Sequence, residues 1–280
     1  MIPAAFDYAK AGSADEALSL LQQHGDEAKL LAGGHSLLPL MKLRLASPAM
    51  LIDIGPIKDL SYVRDGGDHI AIGALTRHRD LETSDLLKQQ VPILAHAAGQ
   101  VGDPQVRHRG TIGGSVSHSD PASDLPVVLF AVDAEMVVRG PGGERTIPAL
   151  DFCTGVFQTA LQEGELLVEI RVPKLPASTG WSYVKMSRRA QDWATVGAAA
   201  VVERSNGGIA SAAVALTNMG ATPVRARHVE KAIADGAPIE EAAGLAGEGR
   251  NPPSDHAASA DFRLHLAGVL TRRALEQAAA

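Results

Sequence analysis

The chain has 280 residues, 45% of them hydrophobic and 21% charged, which is too apolar for disorder and too mixed for collagen or a simple coiled coil. Its 26 Lys and Arg are outnumbered by 32 Asp and Glu, for a net charge of −6; with no basic surplus, nucleic acid is not an expected partner. The longest apolar run, Leu125 to Val132, stops at Asp133, short of the ~18 residues of a membrane span, and MIPAAFDYAK carries charges where a secretory signal would be apolar, so a cytoplasmic chain without a transmembrane segment is expected.

Ser13, three residues before Glu16, forms a capping box ahead of Leu18, Leu20 and Leu21, which predicts a helix from Ser13 to about His24. Lys29 to Ala32 reads as a short strand running into Gly33 and Gly34, with LLPLMKLRL as a short helix beyond. Strands are expected at Met50 to Ile54 and His69 to Ile72, and helices over Thr76 to Leu87 and Pro92 to Val101. Gly102 to Asp124 is rich in Gly, Pro, Ser, His and Asp and almost free of periodicity; a connection of that length reads as a functional loop. Leu125 to Val132 then forms a helix, and Ala134 to Arg139 pairs with Arg145 to Ile147 across GPGG. Those glycines are a turn, since no helix follows them as a phosphate site requires.

Leu166 to Val172 is a strand ended by Pro173, and PKLPAST reads as a linker. Trp181 to Met186, Val196 to Glu203 and Ile209 to Leu216 are expected to be antiparallel strands, the last two joined across SNGG. Alanine-rich helices follow over Ala226 to Ala234, Ile239 to Ala246 and from about Ala260, the last with Phe262, Leu266, Val269 and Leu270 on its apolar face. The pattern is an α+β region to about residue 175 and a smaller α+β domain after it.

The single cysteine, Cys153, excludes an intrachain disulfide and an iron–sulfur cluster built by this chain alone, and in DFCTGVF it reads as a small buried thiol. The chemistry is concentrated in two glycine pairs. In LLAGGHSLL a strand delivers Gly33, Gly34, His35 and Ser36 to a helix start, where backbone N–H groups and the helix dipole suit a phosphate. GTIGGSVSHSD repeats the recipe with Gly113 and Gly114 among Thr111, Ser115 and Ser117, so two loops are available for the two halves of a pyrophosphate. Neither matches GxGxxG or GxxxxGK[ST], which disfavours a Rossmann site and a P-loop. Ser117, His118, Ser119 and Asp120 are too close in sequence for a hydrolase triad, and Ser36 lacks the second glycine of a GxSxG elbow. His108 lies among arginines and no HExxH is present, so no metal site is expected.

Four stretches together, AGGHSLLPLMKLRL, GTIGGSVSHSDPASDLP, LLVEIRVP and YVKMSRRAQDWATVGAA, resemble the FAD-binding medium subunit of molybdenum hydroxylases, the carbon monoxide dehydrogenase and xanthine dehydrogenase group. The resemblance continues through ADFRLHLAGVLTRRAL. It implies a two-subdomain FAD-binding domain of the vanillyl-alcohol-oxidase (PCMH) type over residues 1–175 and a small α+β C-terminal domain of the carbon monoxide dehydrogenase flavoprotein type over 178–280.

The same resemblance assigns the FAD diphosphate to Ala32, Gly33, Gly34, His35 and Ser36, flanked by Leu37, and to Thr111, Ile112, Gly113, Gly114 and Ser115. It assigns the adenosine half to Ser123 and Asp124, the flavin side to Leu167 and Lys185, and the neighbourhood of the isoalloxazine to Asp192 and Trp193. Relatives often carry Gln in place of His35 and Asn in place of Ser115. The implied function is an electron-transfer subunit with non-covalent FAD, passing electrons from partner iron–sulfur clusters to an external acceptor. The molybdenum cofactor is expected on a large partner subunit and [2Fe-2S] clusters on a small one, in a dimer of heterotrimers. A self-sufficient FAD oxidase or dehydrogenase and a flavin-free scaffold subunit are the alternatives.

Overall fold

Ser13 begins the first helix as its spacing predicts: its Oγ accepts the Glu16 N–H at 3.1 Å, while Glu16 Oε2 reaches back to the Gly12 N–H at 2.7 Å, a capping box set one residue early. In the computed structural model, which describes residues 2–205 and 208–280, this helix α1 (Ala14–His24) follows strand β1 (Asp7–Lys10) and precedes β2 (Ala28–Leu31), α2 (Leu37–Lys42) and β3 (Met50–Asp53). The three strands form a parallel sheet in the order β1-β3-β2. Ala14, Ala17 and Leu18 of α1 are buried with Ile52 and Ile54. The strand β1 had no signal in the sequence, because DYAK is mostly exposed and polar.

The second layer is a five-stranded antiparallel sheet in the order β4-β5-β10-β6-β7, made of β4 (Val63–Asp65), β5 (His69–Gly73), β6 (Glu135–Gly140), β7 (Gly143–Pro148) and β10 (Leu166–Pro173). Between β5 and β6 run α3 (His78–Thr83), α4 (Asp85–Gln90), α5 (Pro92–Gly99), α6 (Pro104–Arg107), α7 (Ile112–His118) and α8 (Asp124–Ala131). The single helix expected over Thr76 to Leu87 is two, because Ser84 turns to extended backbone and its Oγ caps α4 at the Leu87 N–H. The expected loop from Gly102 to Asp124 contains α6 and α7, each started by a capping side chain, Asp103 and Thr111. Caps and short range replace the apolar periodicity that longer helices show. The short helix α9 (Ala149–Phe152) and the hairpin β8 (Cys153–Gly155) with β9 (Gln158–Thr159) lead into β10.

The third layer is an antiparallel sheet β11-β12-β13-β14, of β11 (Thr179–Met186), β12 (Val196–Ser205), β13 (Gly208–Thr217) and β14 (Val224–Arg225), with helices α10 (Arg227–Ala234), α11 (Ile239–Gly244) and α12 (Ala260–Ala279). The expected SNGG connection has its central Asn206 and Gly207 outside the described residues. Along β12 the side chains alternate: Val196, Ala198, Ala200 and Val202 pack with the helices, whereas Ala199 joins Tyr183 and Ala215 in the core of the second layer. Both faces of this sheet are therefore covered, and its small alanines let the layers approach.

The apolar face expected for α12 is rotated. Phe262 is exposed, and the fully buried residue beside it is Arg263, which carries the buried stripe on through Leu266, Ala267, Leu270, Ala274 and Leu275. Hydrophobicity misplaced this face because Arg263 is neutralised by Asp255 and bonded to backbone carbonyls, which removes the usual cost of burying a charge. No helix among the described residues is long and apolar enough to cross a membrane.

Candidate cofactor site

Five segments from the three layers converge on one cleft of about 490 Å³. The turn from β2 into α2 brings Ala32, Gly33, Gly34, His35, Ser36 and Leu37 to it; the α7 start brings Thr111, Gly113, Gly114 and Ser115. Ser123 and Asp124 enter at the head of α8, Leu167 from β10, and Asp192 with Trp193 from the turn between β11 and β12. Two of the sequence-derived site residues do not border it. Ile112 is fully buried in the core, and Lys185 lies behind Asp124.

The two glycine loops differ in what they offer. Among the described residues, the N–H groups of Gly33, Gly34, His35 and Ser36 have no hydrogen-bond partner, and Ser36 makes no side-chain cap to α2. Gly34 adopts φ +79, which a glycine tolerates and other residues resist. In the second loop the N–H groups are engaged: Ile112 donates to Thr76 O at 3.0 Å, Gly113 to Ala74 O at 2.9 Å, Ser115 to Thr111 O at 3.0 Å and Gly114 to Thr111 Oγ1 at 3.1 Å. The expectation of two equivalent N–H cradles is corrected accordingly. The first loop presents bare donors, and the second presents hydroxyls and a surface without side chains.

The loops cross at close range. A Cβ on Gly33 would collide with the Arg109 carbonyl and lie 2.9 Å from Gly110 Cα, so Gly33 serves the crossing rather than a positive φ. On the opposite wall, the register of β10 shifts against β6 between Leu167 and Glu169. This bulge breaks the strand's alternation, and Leu166 and Leu167 both border the cleft.

Asp124 is held from the third layer. Its Oδ1 accepts from Tyr183 Oη at 2.6 Å and its Oδ2 from Lys185 Nζ at 2.9 Å, and Lys185 also donates to Gln100 O at 3.1 Å. Burial raises the Asp124 carboxyl above the ordinary carboxylate range, against the pull of Lys185 and Tyr183, and burial likewise drives the Tyr183 hydroxyl well up.

Trp193 is 54% exposed at the rim and does not pack in the core of the third layer. Its turn is fixed from behind: Asn218 Nδ2 donates to Ala194 O at 2.9 Å and to Thr195 O at 3.2 Å, and Arg263 donates to the same Thr195 carbonyl.

Residues 4–175 match the family described as the FAD binding domain in molybdopterin dehydrogenase, and residues 181–278 match the CO dehydrogenase flavoprotein C-terminal domain. The chain belongs to this FAD-binding family. It is similar to the carbon monoxide dehydrogenase medium chain of Hydrogenophaga pseudoflava, 43% identical over 282 residues that cover 99% of this chain and 98% of the relative. It is 40% identical over 283 residues to the 6-hydroxypseudooxynicotine dehydrogenase complex subunit alpha of Paenarthrobacter nicotinovorans, covering 99% and 96% of the two chains. A solved carbon monoxide dehydrogenase from Hydrogenophaga pseudoflava, lacking the Mo-pyranopterin moiety of the molybdenum cofactor, matches with TM-score 0.97 and 45% identity over 99% of this chain and 98% of that one.

For a family member that binds FAD, the cleft has fitting chemistry. The bare N–H groups of the first loop suit phosphate oxygens. Ser123 borders the cleft, with its Oγ buried behind that wall and without a partner. Leu37, Leu166 and Leu167 supply apolar walls for planar rings, in keeping with an aromatic content of only 4%.

The other sequence candidates resolve simply. Cys153 is buried, its thiol pushed up by burial, and it does not border the cleft. His118 sits 4.9 Å from the Phe157 ring, and Ser119 Oγ donates to Gly155 O, so these neighbours form no triad. No group of His, Cys, Asp or Glu among the described residues could hold a metal ion. Sequence reasoning missed Leu166, Val101 and His78, all bordering the cleft. A lone histidine after LTR carries no local signal of that placement.

Proposed function

We infer that this chain is the FAD-carrying electron-transfer subunit of a heteromeric molybdenum hydroxylase, set between the iron–sulfur clusters of a small partner and an external acceptor. The observation that carries the reading is the cleft where the bare N–H groups of Gly33 to Ser36 face the hydroxyl-bearing loop of Thr111 to Ser115. FAD supplies a redox centre able to exchange electrons singly or in pairs. The chain's own residues bind and orient it. Gly33, Gly34, His35 and Ser36 donate to the diphosphate, with Thr111 and Ser115 opposite, while Gly113 lets the loop pack on Ala74, which a Cβ would strike.

In this reading Ser123 and Asp124 take the adenosine half, and Lys185 acts through Asp124 rather than on the cofactor. Leu167 backs the flavin side, while Trp193 covers part of the isoalloxazine and keeps water from it, with Asp192 beside its polar edge. The molybdenum cofactor belongs to a large partner subunit. The clusters belong to a small one, because a single cysteine cannot supply a cluster's set of thiolate ligands. Relatives nearly equal in identity carry names with different substrates, which accords with a substrate pocket on another chain. A cytoplasmic location is part of this reading.

The purified full chain should carry one FAD that acid precipitation releases into the supernatant. It should be reducible chemically yet hydroxylate no substrate until the large and small subunits are added. FMN in place of FAD, flavin retained in the acid pellet, or hydroxylation by the single chain would overturn the reading.

A further inference from the structure

His78 opens α3 directly beneath the crossing of the two glycine loops. Its N–H donates to Gly110 O at 3.0 Å, and the Cδ2–Nε2 edge of its ring lies against Gly110, where a Cβ would come within 2.6 Å of Cδ2 and 2.7 Å of Nε2. Gly110 in turn is the residue whose Cα a side chain on Gly33 would strike. The imidazole edge therefore meets the second loop at the residue where the first loop crosses it. It borders the cleft and is only 4% exposed.

The two ring nitrogens have different surroundings. Nδ1 is sealed and has no hydrogen-bond partner, whereas Nε2 is not among the sealed, unpartnered atoms and lies on the loop side of the ring. A buried N–H without an acceptor is rarer in proteins than an acceptor left partly unmet. The tautomer that avoids a sealed N–H carries its proton on Nε2. Burial, reinforced by Arg77, His35 and Arg107, lowers the His78 pKa to about 4, so the ring is neutral at physiological pH.

We propose that His78 is a binding residue for the cofactor, donating its Nε2–H to a diphosphate oxygen from beneath the loop crossing. The proposal rests on the reading that the two glycine loops hold the FAD diphosphate. A neutral donor fits this position. It supplies a hydrogen bond to an anion without adding a buried charge beside Arg77 and Arg107, whose fields oppose a further cation.

The test uses the deflavinated full chain, titrated with FAD and, in competition, with ADP, which carries the diphosphate without the flavin. His78→Phe, which keeps ring volume and removes the donor, should weaken both FAD and ADP by about 10- to 100-fold, as expected for a hydrogen bond to a charged group. His78→Gln, which keeps an N–H donor, should recover part of the loss. Unchanged FAD binding by a folded His78→Phe chain, or loss of FAD affinity with ADP unaffected, would overturn the proposal.

Gly34→Val separates the two levels of inference. If it abolishes FAD binding while His78→Phe does not, the loops hold the diphosphate and His78 does not contact it. If both variants bind FAD normally, the loop reading itself fails. Should His78→Phe not fold, histidine-selective 15N NMR of the wild-type chain decides: the proton should be on Nε2 and that nitrogen should shift on adding FAD. A proton on Nδ1, or an Nε2 resonance indifferent to FAD, would refute the assignment.

Discussion

Lys185 Nζ lies 2.9 Å from Asp124 Oδ2, with side chains only 4% and 3% exposed, and the pair joins the third sheet to the head of a helix in the second layer. One partner borders the cofactor cleft and the other does not. The C-terminal domain thus reaches the cleft by two routes, through the Trp193 turn at the rim and through a buried cation behind the wall.

Removing either partner should leave the other as an uncompensated buried charge. Lys185→Met and Asp124→Asn are each expected to cost roughly 3–5 kcal/mol of stability. The double variant should cost less than the sum, with a coupling of about 0.5–3 kcal/mol. Urea denaturation of the four chains measures the cycle; additive effects would mean that the pair is not coupled. FAD affinity should fall in both single variants, because Lys185 holds the cleft wall through Asp124 and through the Gln100 carbonyl next to Val101.

The two glycines of the first loop should fail differently. Gly34→Val forces a branched side chain into φ +79 beside bare donors, so flavin content should drop sharply in a chain that still folds. Gly33→Val drives a side chain into the Arg109 carbonyl, so the melting temperature should fall along with flavin content. The ratio of flavin to protein absorbance, with a thermal melt, separates them.

His78 gives a stability slope with a definite sign. Its folded pKa, about 4, lies below the ordinary 6.5, so the unfolded chain takes up a proton first as pH falls. Stability from this group is complete above pH 6.5 and is lost progressively down to about pH 4, by roughly 3 kcal/mol in all. Arg77, His35 and Arg107 are the groups whose charge deepens the effect. Comparing urea midpoints at pH 7 and pH 4.5, His78→Gln should lose less stability than the wild type; equal losses would show that the ring is not held neutral.

Trp193 and Arg263 should separate rim from support. Because Trp193 is more than half exposed, Trp193→Ala should change stability by no more than about 0.5 kcal/mol, far below the ~3–5 kcal/mol of a core tryptophan. It should instead raise flavin fluorescence and quencher access. Arg263→Met leaves the Pro253 carbonyl without its side-chain donor and the Thr195 carbonyl with Asn218 alone, at about 1–3 kcal/mol, and should raise flavin fluorescence in the same direction by loosening the turn. Flavin emission unchanged in both would remove Trp193 from the ring.

The sequence alone determined what depends on neighbours along the chain. Ser13 with Glu16 marked a helix start, Gly33 and Gly34 marked a strand-to-helix turn, and one cysteine ruled out clusters on this chain, because each is a local or compositional constraint. Only the tertiary structure decided which donors are free. The N–H groups of Ile112 and Gly113 are engaged by Thr76 and Ala74 from a strand end more than thirty residues earlier in the chain, while those of Gly33 to Ser36 have no such partner. The same holds for His78 beneath Gly110, for Lys185 behind Asp124 and for the buried Arg263. Hydrogen-bond competition and charge burial are settled between segments that meet only on folding, and no periodicity or motif in either segment encodes its partner.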